Sequence, residues 1–276
     1  MNWLVYLFYG LISGLGELMP VSTGAHDYFL DLMTPFDPTQ PLLQLCVHAA
    51  TLAALFVFCR HRVMHIYREL GIASQSVRRR KRQPDLVAVL DGRVILTMLF
   101  PAGLGVMLRS IVRQQFTSLP MVIIFLLLSG ILIYVPHFVP GANRDSRHIS
   151  RLEALVFGIC AGLSAFPGVS RVGALLSAGA LQGCSRSYLL DVAFVLLIPV
   201  LMLTVAVDLL ALLFGGLAAV TLLYFFYCLL AAAAAFGGAC LAITVMRYLS
   251  VNMGYTAFSY YNWGLCAFGF ILYLMI

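Results

Sequence analysis

Apolar runs about 20 residues long recur along this chain, and each has the length an α-helix needs to cross the ~30 Å of hydrocarbon in a bilayer. One is "LLQLCVHAATLAALFVFC" at 42–59, closed by Arg60; others cover about 94–112, 119–140, 188–213, 217–246 and 255–276. A membrane β-barrel would require strict alternation of apolar and polar residues, which these runs lack. Composition agrees: 62% of the 276 residues are hydrophobic and 10% charged, where a soluble domain carries about 25% charged residues. The mean hydropathy is +0.97. The chain reads as an all-α polytopic membrane protein, a single membrane domain over 1–276 with about six transmembrane helices. Its first segment lacks a basic flank and runs straight into a polar stretch, so a cleavable signal peptide is not expected.

Charge sets the orientation. Nine of the 17 Lys and Arg residues fall between 60 and 93, including "RRRKR" at 78–82, and a second basic segment holds Arg144, Arg147 and Arg151. By the positive-inside rule both are cytoplasmic loops. The net charge of +6 then reports topology and contact with anionic lipid, and nucleic acid is not an expected partner. Arg109 and Arg113 fall on the external side of this scheme, against its trend. The seven cysteines include no CxxC pair and lie mostly inside apolar runs, so they read as packing residues.

The chain also matches itself. "YGLISGLGELMPVS" (9–22) aligns with "FGICAGLSAFPGVS" (157–170) at a constant offset, pairing Gly10 with Gly158, Gly14 with Gly162, Leu15 with Leu163, Val21 with Val169 and Ser22 with Ser170. Pro20 and Pro167 are out of step by one residue. Each copy is a half-length apolar segment, a Pro/Gly/Ser break and a second half-length segment. Non-helical backbone at membrane depth survives only where protein or water covers it, so a re-entrant helix-loop-helix pair is expected in each copy. With three crossings per copy the second is upside down, giving an inverted repeat (about 1–140 and 152–276) whose two breaks meet near the midplane. Paired interrupted segments of this kind mark binding sites.

The polar residues of the breaks are suited to anion chemistry. Glu17 is an ionisable group at membrane depth, which is a functional signal by default. Ser22, Thr23 and His26 follow it, and His is the side chain best suited to exchange a proton near neutral pH. The second break, "FPGVSRVGALLSAG" (166–179), places Ser170 and Arg171 after a Pro167–Gly168 turn. Arginine donates two parallel hydrogen bonds to phosphate, and amides at a helix N-terminus add to anion affinity. A carboxylate beside phosphates also suits a divalent cation. These are the parts for holding a phosphate or diphosphate and cleaving it.

"GELMPVSTGAH" with "FPGVSRVGALLSAG" resembles the undecaprenyl-diphosphate phosphatases of bacteria, whose signatures are a glutamate-rich helix entering a Pro-x-Ser-Ser-Thr-Gly-His loop and a Pro-Gly-x-Ser-Arg-Ser-Gly-Ala-Thr loop. The resemblance implies an inverted-repeat enzyme of the bacterial inner (plasma) membrane with its active site facing the outer side. It would remove the terminal phosphate of undecaprenyl diphosphate, recycling the lipid carrier of cell-wall synthesis. It implies catalytic roles for Glu17, Ser22, His26 and Arg171, with the nucleophile or base falling to Ser22 or His26. It implies phosphate binding by Thr23, Gly168, Ser170, Arg171 and Gly173, and Mg²⁺ or Ca²⁺ held at Glu17. The expected partners are a polyprenyl diphosphate lipid and the membrane, with room for a homodimer. This sequence departs from the pattern at Ser13, which replaces the first motif glutamate, at Thr23-Gly24-Ala25, which replaces Ser-Thr-Gly, and at Val172 and Leu175, which replace a serine and a threonine. Those losses make a polyprenyl-phosphate transporter, using the same site without hydrolysis, the alternative.

Overall fold

The computed structural model describes residues 3–75, 82–139, 143–215 and 221–275. Among these residues ten α-helices follow one another: α1 (Trp3–Leu18), α2 (Thr23–Met33), α3 (Pro41–Ser74), α4 (Leu86–Phe116), α5 (Leu119–Tyr134), α6 (Arg151–Gly162), α7 (Arg171–Leu181), α8 (Arg186–Gly215), α9 (Leu222–Asn252) and α10 (Ala257–Met275). Local chemistry starts them: Pro41 occupies the first turn of α3, where its missing N–H costs nothing. The Asp85 carboxylate accepts from Val87 N at α4, and Ser150 and Glu153 form a reciprocal capping box at α6.

Among the described residues, five segments are long and apolar enough to cross a membrane: α3, α4, α5 with its 3-10 extension to Phe138, α8 and α9. The sixth expected crossing falls on α10, which has 19 residues but carries Ser259, Tyr260, Tyr261, Asn262 and Trp263 in its first half. Large apolar side chains such as Phe100, Leu210 and Phe214 project outward from the long helices, as lipid-facing residues do. Phe194, Leu196 and Leu201 of α8 lie at the buried centre.

The expected basic loop over 60–93 is for the most part helix. α3 runs to Ser74, and its 34 residues reach about 51 Å at 1.5 Å per residue, well past the hydrocarbon; α4 begins at Leu86. A helix continues out of the bilayer here because Ile66 and Glu69 remain buried, Glu69 accepting from Arg82 and from Asp85 N at 3.0 Å. Arg78 to Lys81 of the basic run, and the first residues of the run expected at 217–246, lie outside the described residues.

Both interrupted copies are short helix, break, short helix. α1, α2, α6 and α7 have 16, 11, 12 and 11 residues, and the longest reaches only about 24 Å. Matched glycines do matching work. A Cβ on Gly10 or Gly14 would lie 2.1 Å from the Ala231 or Ala235 carbonyl oxygen of α9, and one on Gly158 or Gly162 would lie 2.5 or 2.7 Å from the Met98 or Pro101 carbonyl oxygen of α4. Each first arm thus lies backbone to backbone along a long helix from the other half of the chain, which only glycine permits.

Candidate active site

The two breaks clasp one another through their serines. Ser22 caps α2, its Oγ accepting from Ala25 N (3.3 Å) and also from Gly168 N (3.0 Å) across the interface. Ser170 caps α7, its Oγ accepting from Gly173 N (3.0 Å) and donating to the Met19 carbonyl (3.4 Å). Gly168 holds φ +113, and a Cβ there would sit 2.6 Å from Phe125 Cβ, so glycine alone fits the turn. Asn262 of α10 donates to the Pro20 carbonyl at 3.1 Å and fixes the first break from behind.

Beside this clasp, Glu17, Thr23, Ser164 and Arg171 line a crevice, with the matched valines Val21 and Val169 in its wall. Glu17, 8% exposed, accepts from Thr23 Oγ1 on one oxygen (3.0 Å) and from Arg171 Nη1 on the other (3.2 Å). Arg171 Nε donates to Ser164 Oγ at 3.0 Å, which orients the guanidinium fork. An acid from the first break and an arginine from the second therefore meet, as the pattern predicted.

Other expected residues go elsewhere. Ser22, Gly168, Ser170 and Gly173 lie inside the clasp, with Ser22 and Ser170 each only 1% exposed, and none of the four lines the crevice. His26 turns to a separate apolar groove of 220 Å³ between α1, α2 and α10, where Ser13 and Asp27 share the wall. Its Nδ1 lies 2.6 Å from the Ser22 carbonyl and its Nε2 lies 2.6 Å from Tyr261 Oη. The carbonyl can only accept, which puts the ring proton on Nδ1 and leaves Nε2 as the acceptor from Tyr261.

Four groups lie outside the two motifs. His48, in the middle of the apolar run 42–59, is 5% exposed. Its Nδ1 pairs with Asp208 Oδ2 at 2.6 Å and its Nε2 faces Glu17 Oε1 at 4.0 Å, so Asp208, His48, Glu17 and Arg171 form one chain whose two middle members are buried. Arg109 and Arg113 also line the crevice. They are not loop residues on the wrong side of a topology rule but the inward face of α4, and Arg113 stands 3.6 Å from Asp27 Oδ2. The available signal was a charge inside an apolar run, since burying one without a role is costly.

The donor set does not make a cation site. Both oxygens of Glu17 are engaged, three arginines share its crevice, and among the described residues no three His, Cys, Asp or Glu side chains gather around a point.

The family model of the bacitracin resistance protein BacA matches residues 6–268. Among curated proteins, the chain is 31% identical over 205 residues to the undecaprenyl-diphosphatase of Marinobacter nauticus, covering 74% of this chain and 75% of that one. It is 30% identical over 223 residues to undecaprenyl-diphosphatase 2 of Stutzerimonas stutzeri, covering 79% and 80%. It is 31% identical over 210 residues to the undecaprenyl-diphosphatase of Syntrophobacter fumaroxidans, covering 73% and 74%.

Proposed function

Since the chain belongs to the BacA family, we propose that it is a membrane phosphatase hydrolysing undecaprenyl diphosphate to undecaprenyl phosphate and inorganic phosphate, the step that returns the carrier lipid to cell-wall synthesis. The observation that carries this reading is the Glu17–Arg171 pair, 3.2 Å apart across two helix breaks distant in the chain. Arg171 holds the terminal phosphate through the N–H groups that Ser164 and Glu17 leave free, and Thr23 offers a hydroxyl on the same wall. Water attacks the terminal phosphorus, the new P–O bond forms, and the bridging P–O bond breaks with the lipid monophosphate as leaving group. Glu17 is placed to take the water's proton, backed by His48, whose Nδ1–H to Asp208 leaves Nε2 toward Glu17. The apolar groove beside His26 and Asp27 receives the first isoprene units. Ser22 serves as the clasp of the two breaks, and His26, hydrogen-bonded at both nitrogens, positions the loop from which Thr23 projects.

The two short-helix pairs enter the inner membrane from opposite faces in this reading, and the site opens outward. What supports an outward site is that α4 begins beside the basic end and Arg109 lies 23 residues further on, about 35 Å away along the helix. The transporter alternative has no support among the relatives, which are named for the diphosphatase. The test is phosphate release from undecaprenyl or farnesyl diphosphate by purified protein, compared with Arg171→Ala and His26→Ala. Release by the wild type that collapses in Arg171→Ala supports the reading; no release by the wild type, with and without Mg²⁺ or Ca²⁺, rejects it.

A further inference from the structure

We propose that Arg109 and Arg113 of α4 grip the second phosphate of the lipid diphosphate, doing with guanidinium groups what a divalent cation would otherwise do; the lipid as occupant rests on the phosphatase reading above. Both side chains line the crevice together with Arg171, and all three have donors to spare. A guanidinium carries five N–H donors in a planar fork. Among the described residues, Arg171 donates to Ser164 and Glu17, Arg109 makes one long bond of 3.4 Å to Gln44 Oε1, and Arg113 stands 3.6 Å from Asp27, beyond hydrogen-bond reach. Three guanidinium groups with open donors on one narrow crevice, about 20 Å³ with the side chains as they stand, offer the contacts that phosphate oxygens accept once the side chains part, and each bidentate contact is charge-assisted.

The departures from the family pattern fit this use. A Cβ at Gly24 would lie 3.2 Å from Arg113 Nη2 and 3.5 Å from Pro167 Cα. The pattern's threonine at that position would crowd the guanidinium tip, so Gly24 leaves Arg113 room at the first break. Asp27, 7% exposed, is the counter-ion beside the half-buried Arg113 when no anion is present. Glu17 and Asp27 together face three arginines, and that surplus of positive charge repels Mg²⁺ and attracts phosphate.

The test separates the arginine grip from cation bridging and from hydrolysis. Purified full-length protein is titrated, in EDTA, with a farnesyl methylenediphosphonate, whose P–C–P bond cannot be hydrolysed, and with farnesyl monophosphate. The wild type should prefer the two-phosphorus ligand by about 10-fold or more without added metal, the size expected of hydrogen bonds to a charged group. Arg109→Gln and Arg113→Gln should each move the ratio toward one, and the double variant should reach it. Asp27→Asn, which removes the carboxylate competing for Arg113, should keep or raise the ratio, and it tests the idea even where the arginine variants fail to fold. A preference that appears only with Mg²⁺ or Ca²⁺, that survives in the double variant, or that falls in Asp27→Asn overturns the proposal. An arginine-dependent preference in a protein that releases no phosphate would reject hydrolysis and leave this anion site standing.

Discussion

Two arginine–carboxylate clusters join helices distant in the chain, and they are balanced in opposite ways. In the basic end of the molecule Arg62 lies between two acids, 3.1 Å from Asp91 on α4 and 3.0 Å from Asp191 on α8, so acid outnumbers base. In the crevice, Glu17 and Asp27 face Arg109, Arg113 and Arg171. The first cluster has no positive charge left for a ligand and reads as a brace between α3, α4 and α8. The second keeps open donors in a concave site. Pairing is common to both, but Arg62 and Asp191 are 40% and 38% exposed while Glu17 is buried; burial together with an excess of one sign in a crevice is what separates a site from a brace.

The comparison breaks most visibly at Arg171. Arg171→Ala is expected to lower phosphate release by about 100-fold or more, because it removes a charge-assisted contact and leaves Glu17 buried without its partner. A smaller loss, measured as initial rate in detergent, would place the phosphate elsewhere. Arg62→Gln is the matching change in the brace. It should lower thermal stability by roughly 1–3 kcal/mol through the buried Asp91 left behind, while the rate per folded molecule stays unchanged; a fall in rate would mean that the two clusters are coupled.

Within the crevice chain, Asp208→Asn is expected to reduce the rate by about 10-fold, with little change in KM, because it alters how His48 supports Glu17 and not how lipid is held. A change confined to KM would move His48 and Asp208 out of the proton path. The smallest effect belongs to Glu153, outside the spans. Hydrogen bonds from Arg144, at 2.9 and 3.2 Å, and from Ser150 hold its carboxyl below the ordinary carboxylate range. A depressed carboxylate contributes stability that is fully present above its unfolded pKa and is lost as pH falls through the folded value. Glu153→Gln should therefore flatten the acid limb of thermal stability slightly and leave neutral pH nearly untouched, since exposed pairs contribute little; an unchanged acid limb would show that the pair contributes nothing.

Much of the architecture was legible because the bilayer enforces it. Run length marks where a helix crosses, and breaks at Pro20 and Pro167 stand out in an oily chain. The continuation of α3 to Ser74 was not legible, because a basic, polar stretch signals the end of a membrane crossing without signalling the end of a helix. In the site, Glu17 and Arg171 could be paired from the repeat alone. Ser22 and Ser170 could not be assigned to the clasp, because a cap serine and a phosphate-binding serine look the same in sequence. His48 and Asp208 are 160 residues apart and carry no motif, so only the approach of α3 to α8 makes them a pair.

By itself, the sequence determined that the chain is helical and membrane-embedded, that it carries two broken segments, and that an acid from one answers an arginine from the other; periodicity, run length and the cost of charge in hydrocarbon are local properties that a string of residues records. Tertiary structure decided which hydroxyls are consumed in holding the breaks together, that His26 faces an apolar groove while His48 faces Glu17, and that Arg109 and Arg113 belong to the crevice. Those outcomes depend on which side of a helix meets which neighbour, and that is set by backbone contacts such as Gly10 on Ala231 and Gly162 on Pro101, where the approach of two helices, and not the identity of any one residue, fixes the direction in which the polar groups point.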